Sequence, residues 1–347
     1  MADALTMKVG RDFDVITTLP KRINGQVAYY QGVSPDGIVY GSTAEEDPEA
    51  DQPLGGGSTL ITTRDDVFLF NPQTGKVTSI SDGASRSQQV AVRGIDVNDE
   101  WVTWIEVQEA YNARWTLHSY DRSTGKERRL GSQKDGVEGD TGIADGAKIS
   151  GNRVLISTFG FGDEDAKAKR AENSQILSAP LDGSAPLTEL VNGATGASVD
   201  ADGMSYVDVA TDALTFRDAR SGKTKVLNVG KTNVEDYLEC ALYDERVLMT
   251  CEGSGVNRSI RIKTNDGKPV SFGPLADDFW YFALDSGWAK FVLDPDGQPK
   301  IYAIDTKRMK LFKVADTQGG WDLMGDDFAL VRPFAGAKGE IWLIKLR

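Results

Sequence analysis

The stretch Gly94 to Glu106, GIDVNDEWVTWIE, sets two short apolar runs around an Asn-Asp turn. After a loop, Thr116 to Leu130, TLHSYDRSTGKERRL, repeats the arrangement around Ser-Thr-Gly. Turn residues between β-branched and aromatic alternation specify hairpins, because Gly and Asn tolerate the positive φ of a tight turn. Two successive hairpins make a four-stranded antiparallel sheet, and the remainder of the chain can be searched for the same unit.

The first hairpin type recurs from Gly32, Ala147, Ala197, Cys240, Tyr281 and Trp321, and the second from Asp66, Gln175, Leu214, Ser259 and Lys300. The last copy of the second type, EIWLIKLR from Glu340, ends with no partner strand. The missing strand stands at the other terminus, where residues 12–19, DFDVITTL, match the outer strands. A spacing of roughly 50 residues fits blade repeats rather than helical solenoids. The predicted fold is therefore all-β: a single seven-bladed β-propeller over residues 1–347 with four-stranded antiparallel blades. The blades are placed at 27–82, 90–132, 142–193, 197–230, 234–274, 277–316 and 319–347 plus 12–19. Pairing of the N-terminal strand with the C-terminal blade closes the ring and removes an exposed edge. The best helical candidate is residues 164–172, EDAKAKRAE, within one loop.

The Ser34-Pro35-Asp36-Gly37 turn and the strand-Asp-x-x-Thr-Gly-Lys pattern at Thr74-Gly75-Lys76 and Thr124-Gly125-Lys126 resemble the TolB-type, WD40-like propeller superfamily. The resemblance covers the whole chain as a style of repeat. It implies a propeller of the kind found in scaffolds, in sensor domains and attached to peptidases. The Gly-His and Trp-Asp signatures of true WD40 repeats are missing, since Trp321-Asp322 opens a blade.

A net charge of −13 argues against a nucleic-acid partner, because phosphate binding needs concentrated Lys and Arg. No run approaches the ~20 apolar residues of a membrane span, and MADALTMKVG has no signal-peptide core. The hairpin ECALYDERVLMTCE pairs Asp244 with Val247, Leu242 with Met249 and therefore Cys240 with Cys251. Opposed residues have Cα atoms ~4.5–5.5 Å apart, within disulfide range. A disulfide here points to the cell envelope or exterior; two free thiols in a reducing cytosol fit the same spacing.

Histidine occurs once, as His118, and any Ser-His-Asp, Cys-His or His-ligated metal mechanism needs it in a pocket. Its alternating strand context predicts a strand histidine without partners. The Gly-Lys-Thr triplets at Gly222 and Gly230 lack the earlier glycine of a phosphate loop and read as turns. Gly55-Gly56-Gly57 reads as a flexible loop, and Asp294-Pro295-Asp296-Gly297 as a turn lacking further calcium ligands. No cofactor or metal is expected. Long loops at residues 43–59, 106–114 and 159–174 share one face, the candidate binding face. Tyr29, Tyr30, Arg93, Asp145, Glu239, Trp280, Tyr281 and Trp321 are placed around the channel mouth there, with inter-blade packing as the rival for each aromatic. Two functions follow: a non-enzymatic module recognising a protein, peptide or small ligand, or a carbohydrate-active hydrolase or lyase using channel carboxylates and tyrosines. Oligomeric state is left open.

Overall fold

The computed structural model describes residues 4–44, 66–81, 91–107, 115–133, 141–143, 146–160, 174–199, 203–211, 213–227, 242–244, 247–252, 258–264, 268–275, 279–284, 287–293, 300–316, 328–331 and 340–347. Among these residues there is no helix, and the strands form seven sheets, six of four or five strands and one of three. The helical candidate at 164–172 lies outside the described residues. The chain divides into two compact units, one of residues 21–197 and one of residues 198–347 together with 1–20.

In the unit 21–197, the first sheet contains Arg22–Ile23, Gln26–Val33, Val39–Ala44, Val67–Phe70 and Val77–Ser79. Its short opening strand is turned by Asn24 and Gly25, both at positive φ, as a two-residue hairpin requires. The second sheet runs Ala91–Val97, Trp101–Val107, Trp115–Asp121 and Lys126–Ser132. The third holds Thr141–Ile143 and Lys148–Ser150, both against Arg153–Gly160, then Gln175–Pro180 and Thr188–Asn192. The middle strands of the second sheet are apolar on both sides because that sheet is covered by the first on one face and by the third on the other. Val102 and Trp104 pack with Tyr40, Val67 and Leu69 of the first sheet. Ile105 and Leu117 pack with Val154, Ile156 and Ala179 of the third. Each of the fully buried Val, Ile and Leu side chains contributes about 1.5–3 kcal/mol.

The other unit holds the strands Gly203–Asp208, Ala213–Asp218 and Thr224–Val226 of a fourth sheet. The fifth has Leu242–Asp244, Val247–Glu252, Arg258–Thr264 and Val270–Leu275. The sixth has Phe279–Leu284, Trp288–Leu293, Lys300–Asp305 and Lys310–Asp316, with Leu5–Thr6 added in parallel at its outer edge. The seventh consists of Phe328–Val331, Ile341–Leu346 and, from the start of the chain, Phe13–Leu19 antiparallel to Ile341–Leu346. Met7 and Phe13 join Trp288, Val292, Ala329, Ile344 and Leu346 in one core. Lys290, fully buried, donates from Nζ to the Phe328 carbonyl at 3.0 Å, tying the sixth sheet to the seventh.

The Asp-x-x-Thr-Gly pattern is explained by its outer turns. The side-chain oxygen of Asn71, Asp121, Asp218 and Asp305 accepts the backbone N–H groups two and three residues on, at 2.6–3.1 Å. The fifth residue of each turn has positive φ, and it is Gly75, Gly125 or Gly222 in three of them. Met309 takes that position in the sixth sheet at φ 50°. A non-glycine residue there is strained, and the packing of its side chain against the core of the fifth and sixth sheets offsets that cost.

The Ser34-Pro35-Asp36-Gly37 turn has a further use. Ser34 bonds the Asp36 carboxylate, and Arg122 of the second sheet donates from Nη2 to Asp36 at 2.8 Å and from Nη1 to the Asn98 carbonyl. Burial pushes the Asp36 carboxyl up, but hydrogen bonds from Arg122 and Ser34 outweigh it and hold it below the usual range. Arg122→Ala is expected to cost about 1–2 kcal/mol at neutral pH, the charged hydrogen bonds being partly screened by solvent. Because the Asp36 pKa is depressed on folding, its share is present above the ordinary carboxylate pKa and disappears as pH falls through the folded value. Urea unfolding at pH 7 and pH 3 checks both: the deficit of the variant should shrink at the lower pH.

Candidate functional site

The second sheet builds one cluster of chemically active side chains. Register places His118 opposite Trp104 on one neighbouring strand and Arg129 on the other, with an irregularity between Leu117 and His118. Side chains two residues apart on a strand share a face, so Glu106 and Glu127 lie on the same face as the imidazole. Glu127 Oε1 is 2.9 Å from Nδ1 and Glu106 Oε2 is 3.5 Å from Nε2. The ring stacks on Trp104 with centroids 5.1 Å apart and planes 11° from parallel, and the Trp104 indole donates to Glu106 Oε1 at 3.3 Å. Burial alone would push the His118 pKa down, yet the two glutamates raise it above its ordinary value. The histidine is a strand residue, as its context predicts, but it is not without partners. Its partners are distant in sequence and meet it only through sheet register.

Chemically the cluster suits an imidazolium, which donates from Nδ1 to Glu127, lies within ion-pair distance of Glu106 without a hydrogen bond from Nε2, and rests on the face of Trp104. In that state the ring cannot accept a proton, so it is ill-placed as a general base. The carboxylates address opposite ring nitrogens and do not converge on one point. Among the described residues no group of three or more His, Cys, Asp or Glu could hold a metal ion.

The residues expected at the channel mouth are placed unevenly. Tyr29 and Tyr30 alternate on Gln26–Val33: Tyr29 is 42% exposed, whereas Tyr30 is 4% exposed and packs edge-on to Phe68 at 5.5 Å. Burial pushes the Tyr30 phenol well up, so of the two rings only Tyr29 presents itself to solvent. Arg93 lies on the adjacent inner strand Ala91–Val97, where the register shifts between Arg93 and Asp96. Trp280 and Tyr281 lie on Phe279–Leu284, with a register shift between Trp280 and Phe282. Asp145, Glu239 and Trp321 lie outside the described residues.

Inner strands of the first three sheets are stitched side by side. The Ile95 N–H reaches Gln31 Oε1 at 3.5 Å, Ala147 N–H donates to the Gly94 carbonyl at 3.1 Å, and Ile149 N–H donates to Asp96 Oδ2 at 2.6 Å. Burial pushes the Asp96 carboxyl up against the opposing pull of Lys148 and of the backbone donors Ile149 and Val97. The long loops themselves fall mostly outside the described residues, but their bases are held. Thr43 Oγ1 accepts the Asp66 N–H at 3.2 Å and donates to Gln26 Oε1 at 2.7 Å. Thr158 Oγ1 accepts the Gln175 N–H at 3.1 Å in the same manner. A threonine immediately before each loop is the sequence signal for this clasp. In the fifth sheet Leu242 pairs with Met249 and Asp244 with Val247; Cys251 lies on the second of these strands, and Cys240 is outside the described residues.

No protein-family model matches the chain, and no curated protein matches it. Among solved structures, the β-propeller domain of the trilobed protease from Pyrococcus furiosus aligns over 91% of this chain and 93% of its own, with a TM-score of 0.55 and 10% identity. The fold is a β-propeller. Oligogalacturonate lyase from Vibrio parahaemolyticus aligns over 99% of this chain and 96% of its own, with a TM-score of 0.54 and 11% identity. The acylaminoacyl peptidase of Pyrococcus horikoshii gives a TM-score of 0.58 and 12% identity over 91% of this chain, which spans 51% of the peptidase's length. At these identities the likeness concerns the propeller alone, and the expected family resemblance is met at that level.

Proposed function

We propose that this propeller is a closed ring of seven blades serving as a non-enzymatic binding scaffold. In this reading it recognises a protein or peptide through the long loops at 43–59, 106–114 and 159–174 and through the mouth beside Tyr29. The observation that carries the reading is the placement of the one histidine within a sheet, stacked on Trp104 with its Nδ1 bonded to Glu127, which leaves it ill-placed for nucleophilic catalysis, while threonine clasps hold the bases of two long loops. The net charge of −13 further favours a cationic or basic partner. The competing reading, a carbohydrate-active hydrolase or lyase, is disfavoured for polyuronate substrates by the same charge, since like-signed fields slow encounter.

The test is a display-library selection of peptides against the immobilised protein, repeated on a variant with residues 45–65 and 161–173 replaced by short Gly-Ser links. Expected are peptides rich in Lys and Arg that lose binding to the loop variant. Equal binding by the variant, or release of unsaturated product from an oligouronate panel, would overturn the scaffold reading.

We also propose an extracytoplasmic setting with a Cys240–Cys251 disulfide, supported by the two neighbouring pairs of the same hairpin. Alkylation of the denatured protein without reductant should add no label by intact mass. Two additions would remove both the bond and the localisation built on it.

A further inference from the structure

We propose that the segment Leu5 to Ile16, with the cationic run beside it, is a docking surface for an anionic lipid membrane. Among the described residues seven large apolar side chains are exposed, and four of them, Leu5, Val9, Val15 and Ile16, fall within this one stretch. Single exposed apolar residues are ordinary, whereas a cluster marks an interaction site. Leu5 belongs to the short strand at the outer edge of the sixth sheet, and Val15 and Ile16 belong to the outer strand of the seventh. The bridge between Val9 and Phe13 sets Val9 beside the start of that second strand, so the four residues follow the two outer edges in turn.

Charge decides what these edges fit. Residues 306–313, TKRMKLFK, carry four cations and no carboxylate, and the short strand lies against them, with Leu5 opposite Phe312 and Thr6 opposite Lys313. Lys8, Lys307 and Lys310 are exposed. The carboxylates of the segment are already neutralised: Asp12 accepts from Arg11 at 2.6 Å, and Asp14 accepts from Arg347 at 2.6 and 2.8 Å. The local surplus is thus positive in a chain whose net charge is −13. At physiological salt the field of more distant carboxylates is screened beyond ~8 Å, so a surface touching these edges meets the lysines first. Addition of a partner strand is disfavoured by the edges themselves. The strand Leu5–Thr6 offers only two residues, and register shifts between Val15 and Thr17, which leaves Ile16 bulged and 43% exposed. A bulge twists an edge strand away from a flat pairing partner. What docks therefore engages side chains. Apolar groups among lysines suit the boundary of an anionic bilayer, where the apolar groups enter between headgroups and the ammonium groups meet phosphates.

The test is co-sedimentation of the intact chain with vesicles of phosphatidylcholine alone and of phosphatidylcholine with about 30% phosphatidylglycerol. Expected is binding to the anionic vesicles only, weakening as salt is raised. Each lysine close to an anionic leaflet contributes roughly a fivefold factor in partitioning, so Lys307→Glu combined with Lys310→Glu should lower it roughly tenfold or more. Leu5→Ser combined with Val9→Ser, which removes apolar groups without changing charge, should lower it roughly fivefold. All four positions are exposed, so both variants should melt with the parent chain by circular dichroism, which separates lost docking from lost folding. No binding to either vesicle, equal binding to both, or anionic binding that both variants retain overturns the proposal. So does a dimer in light scattering that the same substitutions dissociate, since a second copy would then cover these edges.

Discussion

Removing residues 1–20 is expected to leave a protein that is insoluble or melts at least 15 °C below the intact chain. The deleted segment supplies the strand Phe13–Leu19, paired along Ile341–Leu346 from Phe13 opposite Leu346 to Leu19 opposite Ile341. It also supplies Met7 and Phe13 to the core of the sixth and seventh sheets, and the Asp14 carboxylate that Arg347 grips at 2.6 and 2.8 Å. Met7, Phe13 and Leu19, all buried, contribute about 1.5–3 kcal/mol each. Their sum is comparable with the roughly 5–15 kcal/mol that holds a whole domain folded. Deletion further exposes the edge of Ile341–Leu346, a template for aggregation. Circular dichroism melts and the soluble yield of both chains decide it: equal melting would mean that the N-terminal strand is dispensable.

Gly94→Val is expected to be the most damaging single substitution. Gly94 has φ +55°, and a Cβ there would lie 2.0 Å from the Gly146 Cα and 2.9 Å from the Ala147 nitrogen. Both obstacles are backbone, fixed by the Ala147 N–H bond to the Gly94 carbonyl at 3.1 Å. Relief would require parting the inner strands of the second and third blades. Gly151→Ala is the control, because Gly151 has a similar φ of +59° and nothing within 4 Å of its added Cβ. It should cost only the left-handed backbone term, about 1–2 kcal/mol. In urea unfolding Gly151→Ala should therefore give a slightly weakened cooperative transition and Gly94→Val no native baseline. Equal midpoints would refute the close approach.

What could be read from the chain divides along physical lines. The hairpins were legible because turn chemistry is local: Asp121 caps Ser123 and Thr124 and Gly125 takes the positive φ, all within five residues. The opening strand Arg22–Ile23 was missed although Asn24-Gly25 is a strong hairpin signal, because two residues are too few to show alternation. Leu5–Thr6 was missed for a different reason, its parallel partner lying about 300 residues away in sequence. At the site, the partners of His118 depend on register across three strands and on the irregularity at Leu117, neither of which periodicity encodes. Tyr29 and Tyr30 both read as mouth aromatics, yet strand alternation sends one to solvent and the other to Phe68. Lys290 is concealed in the run WAKFVL, where one cation among apolar residues gives no sign of the Phe328 carbonyl that receives it.

A crystal structure of the full chain should show seven blades in a closed ring, with residues 13–19 antiparallel to 341–346 as the outer strand of the last. Six or eight blades, or an Ile341–Leu346 edge left without that partner, would contradict the closed ring of seven.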